Sequence, residues 1–539
     1  MTLDAAIRAI HQPETNRDWQ WARDTIRAHE AFVLQSVLLK RRADSAKTLS
    51  TARVAGANGV LVRFDARLPF TLTAGQQAVG ADIANDLAQS HPMNRLLQGE
   101  VGSGKTLVAL RAMLAVADSG GQAAMIAPTE VLASQHYESI ANSLGSDLAA
   151  EVGLTLLTGQ MSTADRKRAM LQLVSGKAQV VVGTHALIAD KVEFFDLGLV
   201  VIDEQHRFGV EQREALRLKG KTSPHVLTMT ATPIPRTLAV TVFGDLDVST
   251  LTELPGGRMG ITSHVVPFAE KSLVARVWTR IAEEVAAGRQ AFVVCPRIDE
   301  NDTAEEFIEA GGTFEEEPDL VYLALADSTE LKPKRPPIAS VVGMFEALAH
   351  NPALKNVSMD VLHGRLGTED KAAAMQKFAS GETQLLIATT VIEVGVNVPN
   401  ATVMVVVDAD RFGVSQLHQL RGRVGRGSHA GLCLLLTTAE EGSVSMERVR
   451  AVASTNDGFA LSEIDLELRR EGDVLGDRQS GGRSSLRLLR VVQDAELIQR
   501  MRTVAASVLE NDPSLQQHSA LAETLARFDA RAQENLAKN

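Results

Sequence analysis

The chain has 539 residues, 45% of them hydrophobic and 22% charged, a composition typical of folded domains that excludes a mostly disordered protein. Its formal net charge of −11 excludes a uniformly basic surface for nucleic acid, so a nucleic-acid partner would have to be bound by a local basic patch. Because no apolar run approaches the ~18 residues of a membrane span and no secretion signal opens the chain, we expect a cytoplasmic protein without a membrane segment.

The chain begins with a segment that predicts helices. Over residues 1–66, apolar side chains recur at helical spacing, most clearly in EAFVLQSVLLKRR at 30–42. Residues 67–254 then alternate short apolar runs with helical stretches, a pattern that predicts a parallel sheet with helices on both faces. The predicted strands of this first domain are 123–128, 179–184, 198–203 and 225–232.

A second alternating domain is predicted over residues 255–445, so the expected fold class is α/β with two parallel-sheet domains in tandem. Within it, residues 300–340 are acidic and then rich in proline and lysine, which predicts a surface insertion. Residues 446–539 predict a helical C-terminal region with one long helix at about 491–509. The predicted strands of the second domain are 291–296, 359–364, 384–389, 401–409 and 431–437.

The segment GEVGSGKT, from Gly99 to Thr106, matches the phosphate-binding loop pattern G-x-x-x-x-G-K-[ST] between a predicted strand and an apolar helix. Its glycines, Gly99, Gly102 and Gly104, would let backbone N–H groups turn toward phosphate oxygens at the start of the helix. Lys105 would neutralise the β- and γ-phosphates, and Thr106 would ligate Mg²⁺. The sequence therefore predicts a site for ATP and Mg²⁺.

Two carboxylates end the predicted strand at 198–203, where chain topology puts the carboxyl end of the strand beside the phosphate-binding loop. Asp203 would hold Mg²⁺, and Glu204 would orient or deprotonate the attacking water. Without the phosphate-binding loop, such a pair would be interpreted as a solvated turn. His206 would link the state of the nucleotide to a bound nucleic-acid strand, with a hydrogen-bonded structural histidine as the alternative.

Two further runs indicate groups that respond to the γ-phosphate and stabilise its transfer. Thr230 and Thr232, in TMTATPIPRT, place hydroxyls at a strand end and would sense the γ-phosphate; a turn stabilised by threonine and proline is the alternative. Arg423 and Arg426, in QLHQLRGRVGRG, would stabilise transition-state phosphate charge through their planar donors. They lie in the second domain, so we expect ATP to bind between the two domains.

Taken in order, these motifs resemble the helicase superfamily 2 core of two RecA-like domains. LTAGQQAV (72–79) is similar to the adenine-recognition segment of that superfamily, and the resemblance implies that Phe70 and Gln76 contact the nucleotide. ATTVIEVGVNVPNA (388–401) is similar to motif V, in which Asn397 stands where many relatives have Asp and can still hydrogen-bond a ribose hydroxyl. The other similar segments are APTEVLA (127–133), GTHALI (183–188), DEQH (203–206), TATPIPR (230–236), VLHGRL (361–366) and QLHQLRGRVGRG (416–427).

Within that superfamily the sequence is most similar to the RecG family of branch-migrating DNA helicases. DEQHRFGV (203–210) has the RecG form, GRQAFVVCPRIDE (288–300) is similar to the opening of the RecG second domain, and residues 455–481 are similar to the translocation motif shared by RecG and Mfd. In that motif Arg469 and Arg470 are followed by Glu471, where many relatives have an Arg-Gly-Pro-Gly run. The resemblance also implies that the chain starts near the end of the family's N-terminal wedge domain, which carries an OB-fold.

The resemblance implies an ATP-dependent helicase that translocates on double-stranded DNA and remodels stalled forks and Holliday junctions in recombination and repair. Its partners would be branched double-stranded DNA and single-stranded DNA-binding protein, and it would act as a monomer. Two alternatives stay open: an Mfd-like transcription-repair coupling motor, and a degenerate motor that only binds DNA. Contacts to the DNA backbone, or coupling to it, are expected at Thr129, Thr184, His185, His206, Thr230, Thr232, Thr390, Gln419, Arg470 and Gln479.

Overall fold

The chain forms two compact units, Met1–Leu254 together with Arg469–Asn539, and Pro255–Leu468. Residues 446–468, which the sequence pattern assigns to the C-terminal region, therefore lie in the second unit, and the described residues from 488 onward lie in the first. Most of the predicted insertion, 300–337, is outside the described residues. The computed structural model describes residues 2–189, 191–203, 219–230, 246–253, 260–299, 338–393, 398–427, 429–468, 488–489 and 494–527.

A parallel sheet is the centre of the first unit. Its described strands are β1 (Asn94–Gly99), β2 (Gln122–Ile126), β3 (Thr155–Leu157), β4 (Val180–Gly183), β5 (Leu197–Ile202), β6 (His225–Thr230) and β7 (Asp247–Leu251). Their order across the sheet is β3-β4-β2-β5-β6-β1-β7. Strands β2, β4, β5 and β6 are buried along their whole length because helices cover both faces of the sheet, and such strands are mostly apolar in sequence.

Two apolar layers pack on the opposite faces of this sheet. Leu97, Met113 and Met125 belong to one layer, and Leu173 and Val181 belong to the other. The described helices of the unit up to β7 are α1 (Leu3–His11), α2 (Asn16–Ala46), α3 (Val60–Asp65), α4 (Ala74–Leu87), α5 (Lys105–Asp118), α6 (Glu130–Glu151) and α7 (Thr163–Val174).

The second unit repeats this architecture. Its described strands are β8 (Ile261–Pro267), β9 (Gln290–Val294), β10 (Met359–Leu362), β11 (Leu385–Ala388), β12 (Ala401–Val406) and β13 (Gly431–Thr437), in the parallel order β10-β11-β9-β12-β13-β8. On one face of the sheet the rings of Phe292 and Phe378 pack with their centroids 4.7 Å apart. The described helices are α8 (Lys271–Ala286), α9 (Val341–Ala349), α10 (Thr368–Ser380), α11 (Val414–Arg421), α12 (Val444–Ser454) and α13 (Gly458–Leu468).

The two ends of the chain pack against each other within the first unit. Helix α14 (Ala495–Asn511), near the end of the chain, lies against α2 through an apolar cluster that includes Ala31 and Ile498. The carboxylate of Glu30 accepts hydrogen bonds from the backbone N–H groups of Leu488 and Leu489, at 2.9 and 2.8 Å. The predicted N-terminal helical segment thus forms a support for the residues that follow the region similar to a translocation motif.

The predicted fold class, α/β with two parallel sheets in tandem, is confirmed, and all nine predicted strands are observed. The strand predicted before the phosphate-binding loop is observed as β1, and the described strands that were not predicted are β3, β7 and β8. Strand β3 has three residues, and β8 is an edge strand whose exposed and half-buried residues alternate, so neither forms the apolar run that marks a buried strand. No helix in the described ranges is long and apolar enough to span a bilayer.

Candidate active site

The phosphate-binding loop joins β1 to α5, as the sequence predicts. Gly102 and Gly104 have φ values of 86° and 87°, in the left-handed region that glycine adopts without strain. Gly104 is the residue that precedes α5, and no side chain in the described part of the chain caps this helix there. Helix starts of this kind are typical binding places for a phosphate, because the helix supplies backbone N–H groups and a positive potential there.

The glycines also allow the loop to pack closely. A Cβ atom at Gly99 would lie 2.8 Å from Ser103 Oγ and 2.9 Å from the backbone oxygen of Leu251, both closer than side chains tolerate. A Cβ at Gly104 would overlap the amide nitrogen of Gln76. These two glycines are therefore required by the tight fold of the loop, in addition to any close approach of a phosphate.

Lys105 points into the loop that it follows. Its Nζ donates hydrogen bonds to the backbone oxygens of Gly99 and Glu100, at 2.7 and 2.9 Å. These contacts hold a positive charge against the loop, where a triphosphate would bring negative charge. Thr106 follows as the second residue of α5, half-buried. The donor set therefore fits a nucleotide phosphate chain.

Gln76 contacts the phosphate-binding loop directly. Its Nε2 donates to the backbone oxygen of Ser103 at 2.9 Å, and its Oε1 accepts from the N–H of Thr73 at 3.1 Å, which closes a capping box at the start of α4. The side chain is buried, whereas the ring of Phe70 is 54% exposed in the segment before α4. The structure thus places Gln76 against the loop and leaves the Phe70 ring accessible for stacking.

Asp203 follows the last residue of β5. Its backbone N–H donates to the oxygen of Ile126 at 3.0 Å, which fixes it at the carboxyl end of the sheet. Its Oδ2 lies 2.7 Å from Nε2 of His136 on α6, and both side chains are only 14% exposed. His136 was not identified from the sequence, because no motif signals a contact across 67 residues.

The carboxyl ends of the neighbouring strands carry the predicted hydroxyl groups. Thr129 and Thr184 each cap the helix that they precede, accepting hydrogen bonds from the N–H groups of Leu132 (3.3 Å) and Ala186 (3.5 Å). Thr230, at the end of β6, is buried and pairs in register with Gln98 of β1. His185, next to Thr184, is exposed. The sheet therefore brings Thr129, Thr184, His185, Thr230 and Asp203 to the same edge.

The arginine motif in the second unit is built around a different, buried arginine. Arg421, at the end of α11, is only 2% exposed and donates to the backbone oxygens of Val452 and Thr455, at 2.5 and 2.6 Å. Its Nη2 lies 2.7 Å from Nδ1 of His418. Thr455 is where the segment similar to the translocation motif begins, so the arginine motif is bonded to the start of that segment.

Arg423 and Arg426 lie just beyond α11, on the turn that Arg421 anchors, and both are half-buried. Arg426 Nε donates to the oxygen of Gly422 at 2.9 Å, and Gly425 between the two arginines has a φ of 66°. Gln419 of α11 and Thr390 after β11 are both buried. The predicted residues Glu204, His206, Thr232, Asn397, Arg470 and Gln479 lie outside the described residues.

Asp203 is the described carboxylate proposed to hold a divalent cation. Within the described ranges, no three His, Cys, Asp or Glu side chains are grouped so that they could hold a metal ion. Mg²⁺ in nucleotide sites is usually held by one or two protein ligands together with phosphate oxygens. Thr106 and Asp203 supply a hydroxyl and a carboxylate, which are oxygen ligands of the kind that such an arrangement uses.

Comparisons with protein families match three parts of the chain. Residues 73–240 match the DEAD/DEAH box helicase family, residues 339–428 match the helicase conserved C-terminal domain, and residues 455–525 match domain 3, C-terminal, of the ATP-dependent DNA helicase RecG. The three matches follow one another in the order of the motifs described above.

Individual relatives extend over nearly the whole chain. The ATP-dependent DNA helicase RecG of Mycobacterium leprae is 46% identical over 97% of this chain and 69% of its own, and that of Bacillus subtilis is 42% identical over 94% of this chain and 68% of its own. A solved structure of RecG bound to a three-way DNA junction is 36% identical, with a TM-score of 0.69, over 92% of this chain and 59% of that chain. The present chain therefore spans between half and two thirds of the length of that solved RecG chain.

Proposed function

Because the chain belongs to the RecG family of ATP-dependent DNA helicases, we propose that it remodels branched double-stranded DNA, such as stalled forks and Holliday junctions, in recombination and repair. The phosphate-binding loop supports the ATP-dependent part of this proposal most directly. Its glycine backbone, the helix start without a side-chain cap at Gly104 and the inward-pointing Lys105 suit a nucleoside triphosphate. The family match over 455–525 favours a RecG-type motor over an Mfd-like one. The solved relative bound to a three-way junction supports branched DNA as the substrate.

We infer the following roles for residues of the first unit. Lys105 binds the β- and γ-phosphates of ATP, and Thr106 and Asp203 hold Mg²⁺. When bound, Mg²⁺ would neutralise charge on the phosphates. Glu204 orients the attacking water and accepts its proton.

The second unit would supply the charge that stabilises phosphoryl transfer. Arg423 and Arg426 lie on a turn anchored by buried Arg421, which supports a role that needs fixed guanidinium groups. We propose that both arginines stabilise the charge on the γ-phosphate during its transfer. Through its hydrogen bond to Thr455, Arg421 would couple this step to the residues that follow, including Arg470 and Gln479.

We place the DNA contacts at the sheet edge that carries Thr129, Thr184 and His185. Hydroxyl groups and the backbone N–H groups at helix starts bind phosphate oxygens and carry no base specificity, which suits a motor that must pass every sequence. Thr230 and Thr232 would report the loss of the γ-phosphate to this edge. In the second unit, Gln419 and Thr390 would contact the DNA backbone or couple it to the nucleotide.

The remaining parts of the proposal concern partners and location. We propose that the protein acts as a monomer in the cytoplasm, and that single-stranded DNA-binding protein is a partner at forks. Light scattering of the purified chain with and without forked DNA measures its oligomeric state. Co-sedimentation with single-stranded DNA-binding protein tests whether the two proteins bind each other.

Replacement of Lys105 tests the proposed function. We expect Lys105→Ala to abolish ATP hydrolysis stimulated by forked DNA, whereas Lys167→Ala, at an exposed position on α7 of the same unit, should hydrolyse ATP normally. Circular dichroism checks that both variants fold. A native chain that binds forked DNA without hydrolysing ATP would instead support the degenerate motor.

A further inference from the structure

The contact between His136 and Asp203 joins two parts of the first unit that the proposed mechanism treats separately. Asp203 is the proposed Mg²⁺ ligand just after β5, and His136 lies on α6, which has the proposed DNA contact Thr129 as its N-cap. The Nε2–Oδ2 distance of 2.7 Å is that of a charge-assisted hydrogen bond, in which the imidazole N–H donates to the carboxylate.

Helix α6 connects the proposed DNA contact at Thr129 with His136. Thr129 is the capping residue just before α6, and His136 follows seven residues later, about 10 Å along the helix axis. The helix is kinked at Gly145, where φ is 72° and ψ is 168°, and this kink lies beyond His136. The stretch from Thr129 to His136 is therefore uninterrupted, and a shift at its first turn carries the histidine with it.

The surroundings of His136 and Asp203 strengthen their hydrogen bond and its influence on the orientation of the carboxylate. Both side chains are 14% exposed, so the hydrogen bond competes little with water. The backbone of Asp203 is held by Ile126 at the end of β2, three residues before Thr129. With the backbone fixed, the hydrogen bond at Oδ2 restricts how the carboxylate can rotate, as hydrogen-bonding partners of metal ligands generally do.

We propose that His136 is a positioning residue that orients the Asp203 carboxylate for Mg²⁺ and makes this orientation depend on the position of α6, and hence on DNA bound at Thr129. This inference rests on the proposed function, because it assumes Mg²⁺ at Asp203 and DNA at the start of α6. It adds a physical route by which DNA stimulates ATP hydrolysis.

The test compares three variants of the full chain. His136→Ala removes the donor, His136→Gln restores an N–H donor at a similar reach, and Ser143→Ala removes a local hydrogen bond from the same helix without reaching Asp203. Two quantities are measured: the Mg²⁺ concentration that gives half-maximal binding of a fluorescent ADP, in the absence of turnover, and the stimulation of ATP hydrolysis by forked DNA.

We expect His136→Ala to raise the required Mg²⁺ concentration by about 10-fold or more and to lower DNA stimulation by a similar factor. His136→Gln should recover most of both, and Ser143→Ala should match the native chain. A merely structural histidine would lower the denaturation midpoint and leave the Mg²⁺ dependence unchanged, which would overturn the inference. Loss of hydrolysis in Lys105→Ala with normal behaviour of His136→Ala would refute the inference and leave the proposed function intact.

Discussion

Gly104 offers a quantitative test of how the phosphate-binding loop is held. Alanine at this position would adopt a φ of 87°, which costs roughly 1–2 kcal/mol for a residue with a Cβ. The Cβ would also overlap Gln76 Nε2 and break its hydrogen bond to Ser103. Because that bond is buried, its loss adds about 1–3 kcal/mol. We therefore expect Gly104→Ala to lower the free energy of unfolding of the first unit by about 2–5 kcal/mol.

Gly120 provides the matched control for the strain alone. Its φ is 80°, and a Cβ there would meet no atom within 4 Å. Gly120→Ala should therefore cost only the roughly 1–2 kcal/mol of backbone strain. The extra loss in Gly104→Ala measures the displaced Gln76 contact, and nucleotide binding should weaken in that variant alone.

Urea unfolding followed by circular dichroism gives the stability of each variant, and titration with a fluorescent ATP analogue gives its nucleotide affinity. Equal stabilities for the two variants, together with native affinity in Gly104→Ala, would refute the reasoning. In that case the contact between Gln76 and the loop would have no energetic role.

Two further predictions concern the second unit. Arg421→Lys should lower the free energy of unfolding by about 2 kcal/mol, since lysine cannot reproduce the planar donors that meet Val452 and Thr455; a native urea midpoint would contradict this. Burial raises the pKa of the Cys433 thiol to about 12 and raises the pKa of the Cys295 thiol as well. Both thiols stay protonated in the folded chain while unfolded thiols ionise near pH 8.5, so the stability they contribute is present below that pH and is lost above it. Neither should react with a thiol reagent at pH 8 until urea is added, and rapid labelling of the folded chain would show that they are accessible.

The sequence predicts those strands whose residues are buried on both faces of the sheet, because such strands consist almost entirely of apolar residues. Central parallel strands such as β2 and β5 are covered on both faces, so they appear as uninterrupted apolar runs. Strand β8 lies at the edge of its sheet, where exposed and half-buried residues alternate, and this weakens its signal. Its position became clear only from its pairing with β13.

The phosphate-binding loop could be predicted because its chemistry depends on residues that are adjacent in the chain. The contacts of Gln76 with Ser103 and of His136 with Asp203 join residues 27 and 67 positions apart, so no local pattern reveals them. Arg421 is similar: it lies beside the predicted Arg423, but only the fold shows that it is buried and bonded to the backbone of Thr455.

The proposed mechanism requires that arginines of the second unit act on the nucleotide held by Lys105 of the first. The direct measurement is the rate of ATP hydrolysis by Arg426→Ala at saturating forked DNA, with binding of a fluorescent ATP analogue measured in parallel. We expect analogue binding to persist while hydrolysis falls by about a thousandfold, the effect of removing an arginine that stabilises phosphoryl transfer. Hydrolysis at the native rate in this variant would contradict the account.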